Sequence, residues 1–145
     1  MKNLVDKRLL IDRHFSFITH YNIEYYYNLL RQYTSTAEEI NKIRWNFIKE
    51  CNPKIVLDYG SGVGWFKAFA PEGVIVDTYD IMPFISTGIR HNFYDVICFW
   101  DVLEHFPNFN PILNLLTKCK FVALTTPILP KGKNLKEWKH YKPKE

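Results

Sequence analysis

The chain has 145 residues, 47% apolar, 23% charged and 17% aromatic, which is one domain's length and ordinary globular composition and excludes a chain disordered throughout. Its net charge of +4 lies in residues 131–145, where six lysines face two glutamates; residues 1–130 sum to zero and carry no arginine-aromatic stripe, so a solvated tail is expected and a nucleic-acid partner is not favoured. Cys51, Cys98 and Cys119 form no C-x-x-C pair, Asp6, Lys7, Arg8, Asp12 and Arg13 break up the first apolar runs, and nothing approaches the ~18 apolar residues of a membrane span, so a cytoplasmic protein with reduced core thiols and no membrane partner is expected.

Tyrosine and leucine at helical spacing predict a first helix over residues 21–33. Packing is the first reading of Tyr25, Tyr26 and Tyr27, and lining a substrate entrance the second. A second helix is predicted to start at Thr36, whose capping box closes on Glu39, and to bury Ile40, Ile43, Phe47, Ile48 and Cys51 before Asn52-Pro53 ends it. Strand and helix then alternate: strand 54–59, short helix 64–70, strand 74–79, strand 94–100, helix 110–118 with Pro111 early in it, and strand 121–125 stopped by Pro127. Val96, Ile97, Cys98 and Phe99 in succession mark the third strand as buried on both faces. The organisation expected is a helical segment 1–53, a core 54–130 built on βαβ units and a basic tail 131–145, within one domain.

Asp58-Tyr59-Gly60-Ser61-Gly62-Val63-Gly64 follows the first strand, where a glycine turn lets a ligand approach bare backbone. Dinucleotide folds need a glycine three residues after the second one; here that residue is Trp65, which counts against NAD. A ribose wants a carboxylate at the end of the second strand. Asp80 lies there, 20 residues after Gly60, and Asp77, inside the strand, is its competitor.

The D-x-G-x-G-x-G pattern resembles the first motif of class I S-adenosylmethionine-dependent methyltransferases. Tyr94–Trp100 followed by Asp101-Val102-Leu103-Glu104-His105 resembles the strand and D-V-L-E-H exit of the family's small-molecule members, and Val122–Pro127 its fifth strand, so the likeness runs over residues 54–127. Trp138-Lys139-His140-Tyr141-Lys142-Pro143 is similar to a W-x-H-Y-x-P segment of one branch.

The resemblance implies a reduced Rossmann-like parallel sheet of order 2-1-4-5 in the family's numbering. The family's third strand is expected to be absent or vestigial, and its sixth and seventh have no sequence here to form them. It also implies S-adenosylmethionine as cofactor, with Asp58 holding the methionine end, Asp80 the ribose, and Gly60, Ser61, Gly62, Gly64 and Asp101 completing the site. His105 and Asp101 are the candidate general bases for a small-molecule acceptor, histidine being the residue type that ordinarily titrates near neutrality.

No metal is expected. The alternative, by likeness to metal-dependent relatives, is a divalent ion on Asp101, Glu104 and His105, with His140 as a distant ligand. Trp65, Phe66 and Trp100 read first as core and second as an adenine or sulfonium platform, and His14, His20 and His91 as surface or structural. A four-stranded sheet leaves two edges for the N-terminal helices, a second copy or a partner subunit to cover. The rival functional expectation is a non-catalytic or partner-dependent S-adenosylmethionine-binding relative.

Overall fold

The computed structural model describes residues 23–81, 86–106 and 108–134. Residues 1–22 with His14 and His20, residues 82–85, the tail from residue 135 with Trp138 and His140, and the side chains of Tyr25 and Tyr26 lie outside the described residues. Helix α1 (Ile23–Ile48) leads through a 3₁₀ turn, Lys49–Cys51, into β1 (Ile55–Tyr59). Then come α2 (Trp65–Ala68), β2 (Ile75–Tyr79), β3 (Tyr94–Trp100), a 3₁₀ turn Leu103–His105, α3 (Asn110–Leu116) and β4 (Cys119–Thr125). Among the described residues no helix is long and apolar enough to cross a membrane.

The strands form one parallel sheet in the order β2-β1-β3-β4, the order that the family resemblance implied. Side chains alternate across it and build two cores. On one face Val56, Val76, Val96, Cys98 and Trp100 pack under Trp45 and Ile48 of α1 and Phe66 of α2. On the other, Leu57, Tyr59, Ile97 and Phe99 pack under Ile112 and Leu115 of α3. At the N-terminal end of the sheet Asp95 ties three strands together: it accepts from Lys54 N at 2.7 Å and Ile55 N at 3.0 Å and pairs with Lys120 Nζ at 2.9 Å.

Two expectations about the helices are corrected. Residues 23–48 form one helix, not two, so Thr36 and Glu39 lie in its middle. The hydroxyl of Thr34 turns back to the carbonyl of Leu30, four residues earlier in the same helix. The buried stripe is also rotated. Ala37, Asn41, Trp45 and Ile48 face the sheet, whereas Ile43 is 63% and Phe47 67% exposed, and Ile40 is exposed beside them. Trp45 decides the phase: its ring stacks on Phe66 at 4.2 Å and 4°, and its Nε1 donates to Phe66 O at 2.9 Å. The helix ends as expected, with Asn52 left-handed and its N–H returning to Lys49 O at 3.0 Å.

The two sheet edges differ. Segment 86–90 folds along β2, where Gly88 N and Ser86 Oγ donate to Thr78 O, and Thr78 N donates to Thr87 Oγ1. No strand pairs with the outer side of β4 among the described residues. Between β2 and β3 the described residues form no strand, in line with the short interval in the sequence.

Candidate functional site

The carboxyl ends of β1, β2 and β3 meet below α1, the place where open parallel sheets hold ligands. Asp58 is the fourth residue of β1, in register with Thr78 on β2 and Cys98 on β3, and its side chain points to the α1 face with those of Val56 and Cys98. It is 1% exposed, and its Oδ2 has no hydrogen-bond partner. Burial pushes its pKa up to about 7; the Arg44 guanidinium opposes this and Asp80 adds to it.

The glycine turn is stapled to β2, since Gly60 N and Ser61 N both donate to Tyr79 O, at 2.7 and 3.1 Å. Gly60 has φ +81°, and a Cβ there would lie 2.4 Å from Val102 Cγ2, so the space a side chain would need is already filled from the β3 exit. Gly62 N donates to Asp80 Oδ2 at 2.7 Å, which fixes the turn against the residue that follows β2. Gly64, at φ +83°, caps α2, and a Cβ there meets nothing within 4 Å: this side of the turn is open. Ser61 Oγ is buried and without a hydrogen-bond partner. Helix α2 is only four residues long, so the residues 64–70 expected as a helix give a single turn over the site.

Arg44 is the residue that sequence reasoning missed. It projects from α1, 57 residues before the group it meets: Nη2 lies 3.2 Å from Asp101 Oδ2, and the guanidinium stands 5.2 Å from the Trp100 ring centroid. Burial lowers its pKa, while Asp101 and then Asp58 pull it back up, so both carboxylates favour the cation. Trp100 Nε1 and Asn41 Oδ1 are buried on this side and lack hydrogen-bond partners. Phe66 and Trp100 are both core, their ring centroids 5.3 Å apart, as their first reading had it; Trp65 is half-buried.

Asp101 leaves β3 in a left-handed conformation, φ +57°, held by its N–H, which donates to Thr125 O and Thr125 Oγ1, each at 3.1 Å. A non-glycine residue in that region is strained, and such residues gather at ligand sites. Asp101, Glu104 and His105 are all exposed on the rim. The turn there is 3₁₀ and starts at Leu103, after the left-handed Asp101, so the three do not share one α-helical face. Among the described residues no three histidine, cysteine or acidic side chains are arranged to hold a metal.

Asp77 is turned away from this mouth. It pairs in register with Leu57, on the α3 face, and accepts from Arg90 N and Nε at 2.9 Å each and from Tyr94 OH at 2.8 Å, with His91 Nδ1 also at 2.8 Å. His91 is therefore structural, one of the two roles expected of it.

A parallel sheet with helices on both faces and a glycine turn after its first strand defines an α/β, Rossmann-like protein. A family model described as a methyltransferase domain matches residues 22–141, and the chain belongs to that family, the class I S-adenosylmethionine-dependent methyltransferases. Proteins of the family generally bind S-adenosylmethionine. No curated protein and no solved structure matches the chain.

Proposed function

We propose that this chain binds S-adenosylmethionine at the mouth formed by Asp58, the 60–64 turn, Asp80 and Arg44, and transfers its methyl group to a small molecule. The observation that carries the reading is Asp58. A carboxylate removed from water with one oxygen unpartnered is costly unless something cationic completes it. Ser61 Oγ, likewise buried and unpartnered, and the open side of Gly64 extend the same unfilled cradle.

The residues fit the cofactor's chemistry. Asp58 would take the ammonium of its methionine end, Arg44 the carboxylate and Asp80 the ribose hydroxyls. When bound, the cofactor supplies a methyl group on a sulfonium, a carbon already activated for in-line displacement. The protein's task is then to position and to exclude water. Phe66 and Trp100 keep the α1 side dry, and α1 itself roofs the sheet through the Trp45–Phe66 stack. Asp101 and His105 stand exposed at the exit of β3 and would accept the proton of a hydroxyl or amine acceptor. The small-molecule class rests on the likeness of segment 101–105 to small-molecule members of the family.

Titration calorimetry with S-adenosylhomocysteine tests the cofactor, and a folded sample that binds none sinks the proposal. Release of S-adenosylhomocysteine from S-adenosylmethionine over a panel of small hydroxyl and amine acceptors tests transfer. Binding without turnover across the panel makes the chain a non-catalytic relative instead.

A further inference from the structure

We infer that Asp101 is the internal rival of the cofactor's carboxylate for Arg44, so that binding exchanges one carboxylate for another on the guanidinium and releases Asp101 towards the acceptor; this rests on the cofactor site proposed above. Val96, Cys98 and Trp100 face α1, so strand alternation would point the next residue to the α3 face. Instead the left-handed turn at Asp101, φ +57°, carries its carboxylate back to α1, where Oδ2 lies 3.2 Å from Arg44 Nη2. Strain of this kind persists only where the surroundings hold it. Here the Asp101 N–H is pinned to Thr125 O and Oγ1 on β4, so the backbone stays fixed while the carboxylate turns.

The two partners of this contact differ in what they lose when it breaks. It joins one nitrogen to one oxygen and is longer than the ~2.7–2.9 Å of a strong charge-assisted bond. The Asp101 side chain is 54% exposed and returns to water at little cost. The Arg44 side chain is 23% exposed and is backed by the Trp100 ring at 5.2 Å, so the guanidinium keeps its need for an anion. A ligand carboxylate whose ammonium is anchored on Asp58 arrives already oriented and takes two nitrogens of the planar fork. If Asp101 stayed, three carboxylates would crowd one guanidinium and one ammonium, and the exposed one is the one free to leave. An exposed ion pair changes an equilibrium by about two- to fivefold. The rivalry lowers the share of chains with Arg44 free, and the apparent affinity for the cofactor, by that factor.

Titration calorimetry on the 145-residue chain tests the exchange. Asp101→Asn is nearly isosteric and tolerates the left-handed conformation, and Asp101→Gly relieves its strain. Both variants are expected to bind S-adenosylhomocysteine about two- to fivefold more tightly than the parent. Decarboxylated S-adenosylhomocysteine, which keeps the ammonium, should gain nothing from either change. Equal or weaker binding of S-adenosylhomocysteine by the variants overturns the inference, and so does an equal gain for the decarboxylated ligand. A folded parent that binds neither ligand sinks the cofactor site and this inference with it, whereas a parent that binds S-adenosylhomocysteine without a gain in the variants sinks the inference alone. Should both variants fail to fold by circular dichroism, a crystal structure of the parent with S-adenosylhomocysteine decides. Arg44 is expected on the ligand's carboxylate, and Arg44 still bonded to Asp101 overturns the exchange.

Discussion

Arg44, on the helix that roofs the sheet, reaches Asp101 at the exit of β3 with 3.2 Å between Nη2 and Oδ2, and its charge also acts on the buried Asp58. The guanidinium thus links α1 to the ends of β1 and β3, two of the three strands that form the mouth. Arg44→Ala removes the cation that, among the described residues, opposes the burial of Asp58, and with it the group proposed to take the cofactor's carboxylate. Affinity for S-adenosylhomocysteine is expected to fall at least tenfold, about 1.4 kcal/mol. Arg44→Lys keeps the charge but not the planar fork, and should recover part of the loss. Equal affinities for all three proteins in calorimetry would remove Arg44 from the site.

Asp58 predicts two opposite pH dependences. Burial raises its pKa to about 7, above the ~3.9 of an unfolded aspartate, so between these values the folded protein holds the extra proton. This contribution to stability is full below about pH 4, falls as pH rises to about 7 and is level above. Asp58→Asn is neutral throughout: it should melt like the parent near pH 4 and a few degrees higher near pH 8. Cofactor binding has the reverse sign, because the ammonium needs the ionised carboxylate. Affinity should climb towards tenfold per pH unit below about 7 and then level off, and the Asn variant should bind at least tenfold more weakly without that slope. Calorimetry and melting curves over the same pH range check both, and a flat binding profile in the parent would separate Asp58 from the ligand.

How much of this is legible in the sequence depends on how local each feature is. The turn from Asp58 to Gly64 and the exit from Asp101 to His105 are contiguous, and their conformations follow from their own residues and the strands before them. The phase of α1 is not local. Ile40, Ile43 and Phe47 are as apolar as any buried stripe, yet the sheet takes the face with Ala37, Asn41 and Trp45, because the Trp45–Phe66 stack and the Trp45 hydrogen bond need a partner 21 residues away. Arg44 stays hidden for the same reason. Beside Lys42, which pairs with Glu38 on the helix surface, it reads as one more solvated charge until the helix is docked on Trp100 and Asp101.

Gly60 gives a prediction about packing rather than charge. Its φ of +81° costs a side chain about 1–2 kcal/mol. The Cβ of Gly60→Ala would also meet Val102 Cγ2 at 2.4 Å, where something must move. Val102 follows the strained Asp101, so that shift is transmitted to the rim. Gly60→Ala should lower stability by roughly 3 kcal/mol and weaken cofactor binding. Adding Val102→Ala relieves the clash but not the backbone strain, so the double variant should be more stable than the sum of the two single losses. Urea titrations of the four proteins measure this coupling, and strict additivity would mean that the two side chains do not contend for the same space.

The Asp77 cluster separates a stability role from a ligand role. Burial pushes the Asp77 carboxyl up, but His91, the Arg90 N–H, Tyr94 and the Arg90 side chain outweigh it and hold it at about 2. A folded pKa below the unfolded value contributes stability that is present above about pH 4 and is lost as pH falls towards 2. Asp95, held at about 2 chiefly by Lys120, acts over the same range. Asp77→Asn removes the buried carboxylate that the Arg90 N–H and side chain, Tyr94 OH and His91 meet, and should cost roughly 1–3 kcal/mol. It should unfold at lower urea near neutral pH and show a shallower loss of stability on acidification, the remainder belonging to Asp95. Its affinity for S-adenosylhomocysteine should stay within about twofold of the parent, because Asp77 lies on the α3 face of the sheet and Asp58 on the other. Asp80→Asn should do the opposite and weaken cofactor binding. If Asp77→Asn instead lost the cofactor while keeping its stability, the ribose would belong to Asp77, and the mouth would have to be redrawn around the other face.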